Sequence, residues 1–160
     1  MTASIWLLKT EPDQFSIADL ASRGIAGERW NGIRNYQARN FLRTMQLDDL
    51  ALIYHSGCSL PAIVGTARVI SIPYEDLDAL NPASPYFDAK SSTSNVRWSA
   101  VDIQFSQLWS QPVTLAQLKA SGELADMTIL RQARLSIAPV LDVELRVILA
   151  LLAQNEAASP

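Results

Sequence analysis

The chain is predicted to fold as a mixed α+β domain, with a small mixed sheet curled into a barrel and helices packed against it. Three observations predict this. Apolar or alternating runs of strand length are interspersed with amphipathic helical stretches. Their order lacks the regular βαβα spacing and the glycine fingerprint of a dinucleotide fold. The 160 residues, 49% hydrophobic and 18% charged, suffice for one core and leave no room for a second domain of ordinary size. Residues 1–154 are read as that domain and 155–160 as a disordered tail.

Ile5-Trp6-Leu7-Leu8 is a buried first strand, closing at Lys9-Thr10-Glu11-Pro12 because proline cannot donate to a ladder. Ser16 caps a short helix through Arg23, with Ile17 and Leu20 on one face and Gly24 as its stop. Trp30-Asn31-Gly32 is turn chemistry. Asn35 caps a second helix, Tyr36 to Met45, whose apolar face is Ala38, Phe41, Leu42 and Met45. Leu50–His55 and Ala62–Ile70 are strands, and Gly65 inside the second marks a bulge or the close approach of another group. Residues 71–95, rich in proline and serine, form a loop that is functional or holds a short element of its own. Arg97–Phe105 is a further strand, with Trp98 on the face opposite Val101, Ile103 and Phe105. Thr114 caps a helix through Leu118, and Glu123–Arg134 begins as a helix. Leu135–Val140 is extended, and a final helix starts near Asp142 with the stripe Leu141, Leu145, Ile148 and Leu152.

The composition excludes several functions. A net charge of −3 argues against a surface that binds polyanions everywhere, so a nucleic-acid site must be local. One cysteine, Cys58, and one histidine, His55, cannot build a zinc site or a disulfide framework, and a reducing cytoplasm is compatible. Met1 to Ser4 lead into the first strand with no basic region or long apolar stretch of a secretory signal, and no run approaches the ~20 apolar residues of a membrane span. We expect a cytoplasmic protein without membrane, metal or cofactor.

An enzyme would need positioned acids, bases or nucleophiles. His55 and Cys58 leave a strand three residues apart, a spacing that rarely brings two side chains face to face. Asp102, inside an apolar strand, is either a functional anion or a partner for a core arginine or backbone amide. Catalysis on a base or nucleotide through Asp102, Tyr54 or His55 is the rival reading.

Binding has the stronger signal. Between Arg29 and Arg43 stand Arg29, Arg34, Arg39 and Arg43 with no acid, a local charge of +4 in an acidic chain. Ten arginines against three lysines favour bidentate phosphate pairing and stacking on bases. The same charges could equally form a helix face neutralised by acids elsewhere. Interleaved with them are Trp30, Asn31, Asn35, Tyr36, Gln37 and Asn40, aromatics that stack on extruded bases and amides that read base edges. Taken singly, Trp30 reads as core before ligand stack, because large aromatics are highly buried on average.

Trp6-Leu7-Leu8-Lys9-Thr10-Glu11-Pro12, the run Trp30 to Asn40, Tyr54-His55-Ser56, Tyr86 to Ser91 and Arg134 to Val140 together resemble the ordered motifs of the EVE domain family. The resemblance implies a PUA-like fold, a bent mixed β-barrel flanked by helices and related to YTH and ASCH domains. It also implies a non-catalytic reader of modified bases, with modified cytosine in DNA as leading ligand and modified tRNA or rRNA bases as the alternative. Carried over by residue, Trp30 becomes the stacking wall, Asn31 and Asn35 the edge readers, and Lys9, Thr10, Tyr54, His55 and Ser56 the pocket rim. Arg34, Arg39, Lys90, Arg134 and Ser136 become contacts to the nucleic-acid backbone, and the binder is expected to be a monomer. This chain departs from the family pattern at Asn31, where Asp is usual, at Ala89 in place of Pro, and at Leu145, where a Trp often lies. The first exchange replaces an anionic acceptor by a neutral amide.

Overall fold

The computed structural model describes residues 3–160; Met1 and Thr2, part of the expected leaderless start, lie outside the described residues. Seven strands form a strongly bent sheet: β1 (Ile5–Thr10), β2 (Glu28–Trp30), β3 (Leu50–His55), β4 (Ala62–Val69), β5 (Tyr74–Glu75), β6 (Ser99–Thr114) and β7 (Ile137–Val140). Their order is β2-β6-β4-β3-β1-β7, with β5 paired to β6. β1 and β3 run parallel and every other ladder is antiparallel. No ladder joins β2 to β7 among the described residues, so the expected barrel is an open half-barrel.

Five helices flank it: α1 (Ile17–Ser22), α2 (Tyr36–Leu42), α3 (Leu115–Ala120), α4 (Thr128–Arg131) and α5 (Asp142–Ala158). Their starts follow from side-chain caps. Ser16 accepts from the Asp19 N–H, Asn35 from Ala38 and Thr114 from Gln117, each satisfying a backbone donor that a first turn leaves unpaired. α5 continues past residue 154 to Ala158, where a tail was expected. Asn155 holds it by donating to the Pro112 carbonyl and exchanging hydrogen bonds with Gln117.

The core gathers Leu7, Leu52, Ile53, Ile63 and Ile103 of the sheet with Leu20 of α1, Leu42 of α2 and Ile148 of α5, and the neighbours Leu52 and Ile53 show that β3 is buried on both faces. β1 is buried on both faces, as its unbroken apolar run demands. Gly65 serves both roles expected of it. The β4 ladders slip register beside it, and a Cβ there would collide with the Gln107 carbonyl oxygen and with Ile17 Cδ1. Pro139 lies within β7 and does not end it, which an edge strand tolerates. Residues 71–95 contain β5, a 3-10 turn at Leu77–Leu80 and Ala79, which packs with Val96 and Trp98 in a satellite cluster.

Candidate nucleic-acid interface

A half-open cleft of about 420 Å³ lies where the carboxyl end of β1, the end of β2 and the residue before β7 converge. Small-molecule sites typically hold ~300–1,000 Å³. Its wall is built by Trp30, which ends β2 with 8% of its surface exposed and packs its inner side into the core. Phe15 meets the indole edge-on at 6.1 Å, and the Thr10 hydroxyl donates to the Phe15 carbonyl, closing the turn that carries that ring. The indole N–H of Trp30 has no acceptor among the described residues. Among the described residues no buried side-chain N or O is left unpaired, so that N–H keeps contact with solvent. Trp30 is thus core residue and cleft wall at once.

The turn after β2 passes through Gly32 at φ +76°, and a Cβ there would stand 2.6 Å from the Tyr86 ring. Glycine lets that ring close over the turn at the cleft's edge. Lys9, Arg29, Glu11 and Glu28 set the local charge. Lys9 Nζ donates to the Ala133 carbonyl at 2.6 Å beneath the Tyr54 ring, and burial lowers its pKa. Glu28 is held by Arg23 at 2.9 Å and by the Arg29 N–H.

Of the expected base-contacting residues, Lys9, Thr10, Trp30 and Asn31 meet in this cleft. Ser136, expected on the nucleic-acid backbone, lines it too. Four others are placed elsewhere. Asn35 Oδ1 is committed to the α2 cap. Tyr54 is buried in the core and bounds a separate small cavity of about 100 Å³. His55 Nε2 accepts from the Ile17 N–H at 3.1 Å, which puts the ring proton on Nδ1 and ties β3 to α1; burial lowers its pKa. Ser56 continues the β1–β3 ladder, its N–H donating to Thr10.

Among the arginines, Arg34 spends its guanidinium internally. Nη1 donates to the Asp76 carboxylate and the Ile33 carbonyl, while Nε and Nη2 donate to the Tyr86 carbonyl. Four of its five N–H groups are thus committed inside the fold, leaving one for the expected contact to the nucleic-acid backbone. Arg39 and Arg43 both donate to the Arg97 carbonyl, and neither has a carboxylate within ion-pair distance among the described residues. Arg39 lies 4.8 Å from the Tyr36 ring centroid, and Tyr36 stacks on Trp98 at 4.9 Å. Lys90 and Arg134 are exposed and line no part of the cleft. Asp102 accepts from the Tyr74 hydroxyl, a partner neither expectation named, and burial together with that bond raises the Tyr74 pKa. Glu11, Gln14, Phe15, Arg29 and Tyr86 also line the cleft, unforeseen as site residues; Tyr86 comes from 56 positions beyond Trp30, beyond the reach of local pattern.

Comparison with known proteins agrees along almost the whole chain. The EVE domain family model matches residues 4–151. Thymocyte nuclear protein 1 of Mus musculus is 36% identical over 166 residues, covering 93% of this chain and 74% of that protein. A protein from Leishmania major superposes with a TM-score of 0.91 at 39% identity, covering 97% of this chain and 98% of that one. Human THYN1 protein, solved in complex with 5-methylcytosine-containing DNA, superposes at 0.90 with 36% identity, covering 94% and 98%. The bent half-barrel flanked by helices is the PUA-like fold of these proteins, and the chain belongs to the EVE domain family.

Proposed function

We infer that this protein is a non-catalytic nucleic-acid-binding module that takes a modified base out of its stack and holds it against Trp30, with 5-methylcytosine in DNA as first ligand. The observation that carries this reading is the cleft itself: an indole anchored in the core, open on one side, beside Lys9, Arg29 and the amide of Asn31. Human THYN1, at 36% identity, is solved with DNA carrying 5-methylcytosine. Extruding a base costs a few kcal/mol and stacking on an aromatic returns about 1–3 kcal/mol, so edge hydrogen bonds and phosphate contacts supply the rest. Arg39 and Arg43, which lack carboxylate partners among the described residues, are the phosphate contacts we assign. The groups an enzyme would recruit are tied into the fold: His55 to Ile17 and Asp102 to Tyr74.

The test is fluorescence anisotropy with matched oligonucleotides containing 5-methylcytosine or cytosine, as DNA and as RNA. The full chain favours the modified DNA, and Trp30→Ala, checked for folding by its thermal midpoint, loses that preference. A folded Trp30→Ala variant that binds like the parent overturns the reading. Tighter binding of the matched RNA moves the ligand class to modified RNA, where the 2′-hydroxyl is the discriminating group.

A further inference from the structure

The loop between β4 and β6 reaches back to the cleft through two carboxylates. Asp76, whose side chain is fully buried, accepts from the Gly32 N–H at 2.9 Å and from Arg34 Nη1 at 3.0 Å, while its other oxygen accepts from the Asp78 N–H at 3.1 Å. The turn carrying Asn31 and the residue carrying the next carboxylate are thereby fixed to one another. Asp78 Oδ2 then accepts from Asn31 Nδ2 at 2.7 Å and faces Arg29 Nη2 at 3.6 Å. Two polar side chains of the cleft therefore end on one carboxylate.

An ionised carboxylate has no proton to offer, so only the nitrogen end of the Asn31 amide can face it. An asparagine with polar solvent around it could rotate and present either end; this one is held in one orientation. No described group donates to Asn31 Oδ1. Among the described residues no buried side-chain polar atom is left unpaired, so that oxygen keeps contact with solvent as an acceptor, on a residue that lines the cleft.

We propose that Asp78 is a positioning residue that sets the hydrogen-bond polarity of the cleft: by holding Asn31 Nδ2 it presents Oδ1, and so selects bases whose edge carries an exocyclic amino group over their keto counterparts. The proposal rests on the base-reading function inferred above. A cytosine-type base brings an N4 amino donor to Oδ1, whereas a thymine-type base brings its O4 acceptor, leaving two acceptors opposed and unpaired as water leaves. 5-Methylcytosine and thymine share ring and methyl group and differ in polarity at this edge, which makes them the matched probes.

The experiment measures affinities for two labelled DNA duplexes that are identical except for one central position, 5-methylcytosine or thymine, each opposite an abasic site so that neither base must be unpaired. The parent favours 5-methylcytosine about fivefold, the size of one net hydrogen bond. Asp78→Ala brings the ratio close to one. The exchange variant Asn31→Asp with Asp78→Asn restores it, because the carboxylate then carried on the turn is an acceptor that the amide then carried on the loop can hold; restoration is an outcome that general loosening of the loop would not produce. An unchanged ratio in Asp78→Ala, or an exchange variant that stays indifferent, overturns the proposal. Should Asp78→Ala fail to fold, the exchange variant decides alone. Trp30-dependent binding with a ratio blind to Asp78 refutes the positioning role only, whereas binding that ignores Trp30 refutes the base cleft as well.

Discussion

The four arginines between residues 29 and 43 look alike in the sequence and separate into two kinds in the structure. Arg29 and Arg34, in β2 and the turn after it, are paired with Asp78 and Asp76 from the 71–95 loop, which brings acids from more than forty positions away. Arg39 and Arg43, on α2 and just past its end, meet a backbone carbonyl and, for Arg39, an aromatic face, and no carboxylate among the described residues neutralises their charge. One half of the basic stretch builds the cleft and the other remains able to meet phosphate. Charge counted along a sequence does not distinguish them, because the neutralising residues arrive from a distant loop.

The largest effect expected from this division is on stability. Asp76→Ala removes a fully buried acceptor and leaves Arg34, the Gly32 N–H and the Asp78 N–H without it, at a cost of about 3–5 kcal/mol in urea unfolding. A loss below about 1 kcal/mol would mean that the loop is not the clamp described. Next comes binding: Arg39→Ala weakens modified and unmodified oligonucleotides alike and reduces the slope of log affinity against log salt by about one. Its stability falls by no more than about 1 kcal/mol, the scale of a partly exposed cation–π contact. If Arg39→Ala unfolds the protein while Asp76→Ala does not, the two halves have been assigned the wrong way round.

The smallest effect concerns His55. Its pKa in the fold lies below the ordinary value of 6.5, so the unfolded chain takes up the proton more readily. The stability it contributes is present above pH 6.5 and falls as the pH drops through that value and on toward the depressed pKa. Thermal midpoints at about pH 8 and about pH 5, either side of the ordinary histidine range, should differ less in His55→Gln than in the parent. A pH dependence of base affinity that disappears in this variant, with the stability profile unchanged, would return His55 to the cleft.

Much of the fold was legible because its signals are local. The caps at Ser16, Asn35 and Thr114, the apolar run of β1 and the glycine in β4 each act within a few residues of where they are written. β2 was hidden because three residues beside turn chemistry make no pattern. β6 runs to Thr114, well past the expected end at Phe105; the extension was hidden because Ser106, Gln107 and Ser110 are exposed and only Trp109 and Val113 are buried there. The site was legible in the same proportion. Lys9, Thr10, Trp30 and Asn31 reach the cleft, whereas Tyr54, His55 and Ser56 lie beside Lys9 and Thr10 across the β1–β3 ladder and serve the fold. The carboxylates that orient the cleft could not be read from a loop whose acids look like solubilising charge.

The indole N–H resonances offer the most direct measurement, because Trp6 and Trp98 donate theirs to Asp49 and Asp88, and of the two indoles that donate to no described group, Trp30 and Trp109, only Trp30 lines the cleft. In a titration of the ¹⁵N-labelled protein with an oligonucleotide containing 5-methylcytosine, the Trp30 indole signal should move while that of Trp6, held by Asp49 in the core, stays in place. Saturable binding that leaves the Trp30 signal where it began would contradict the claim that this indole receives the base.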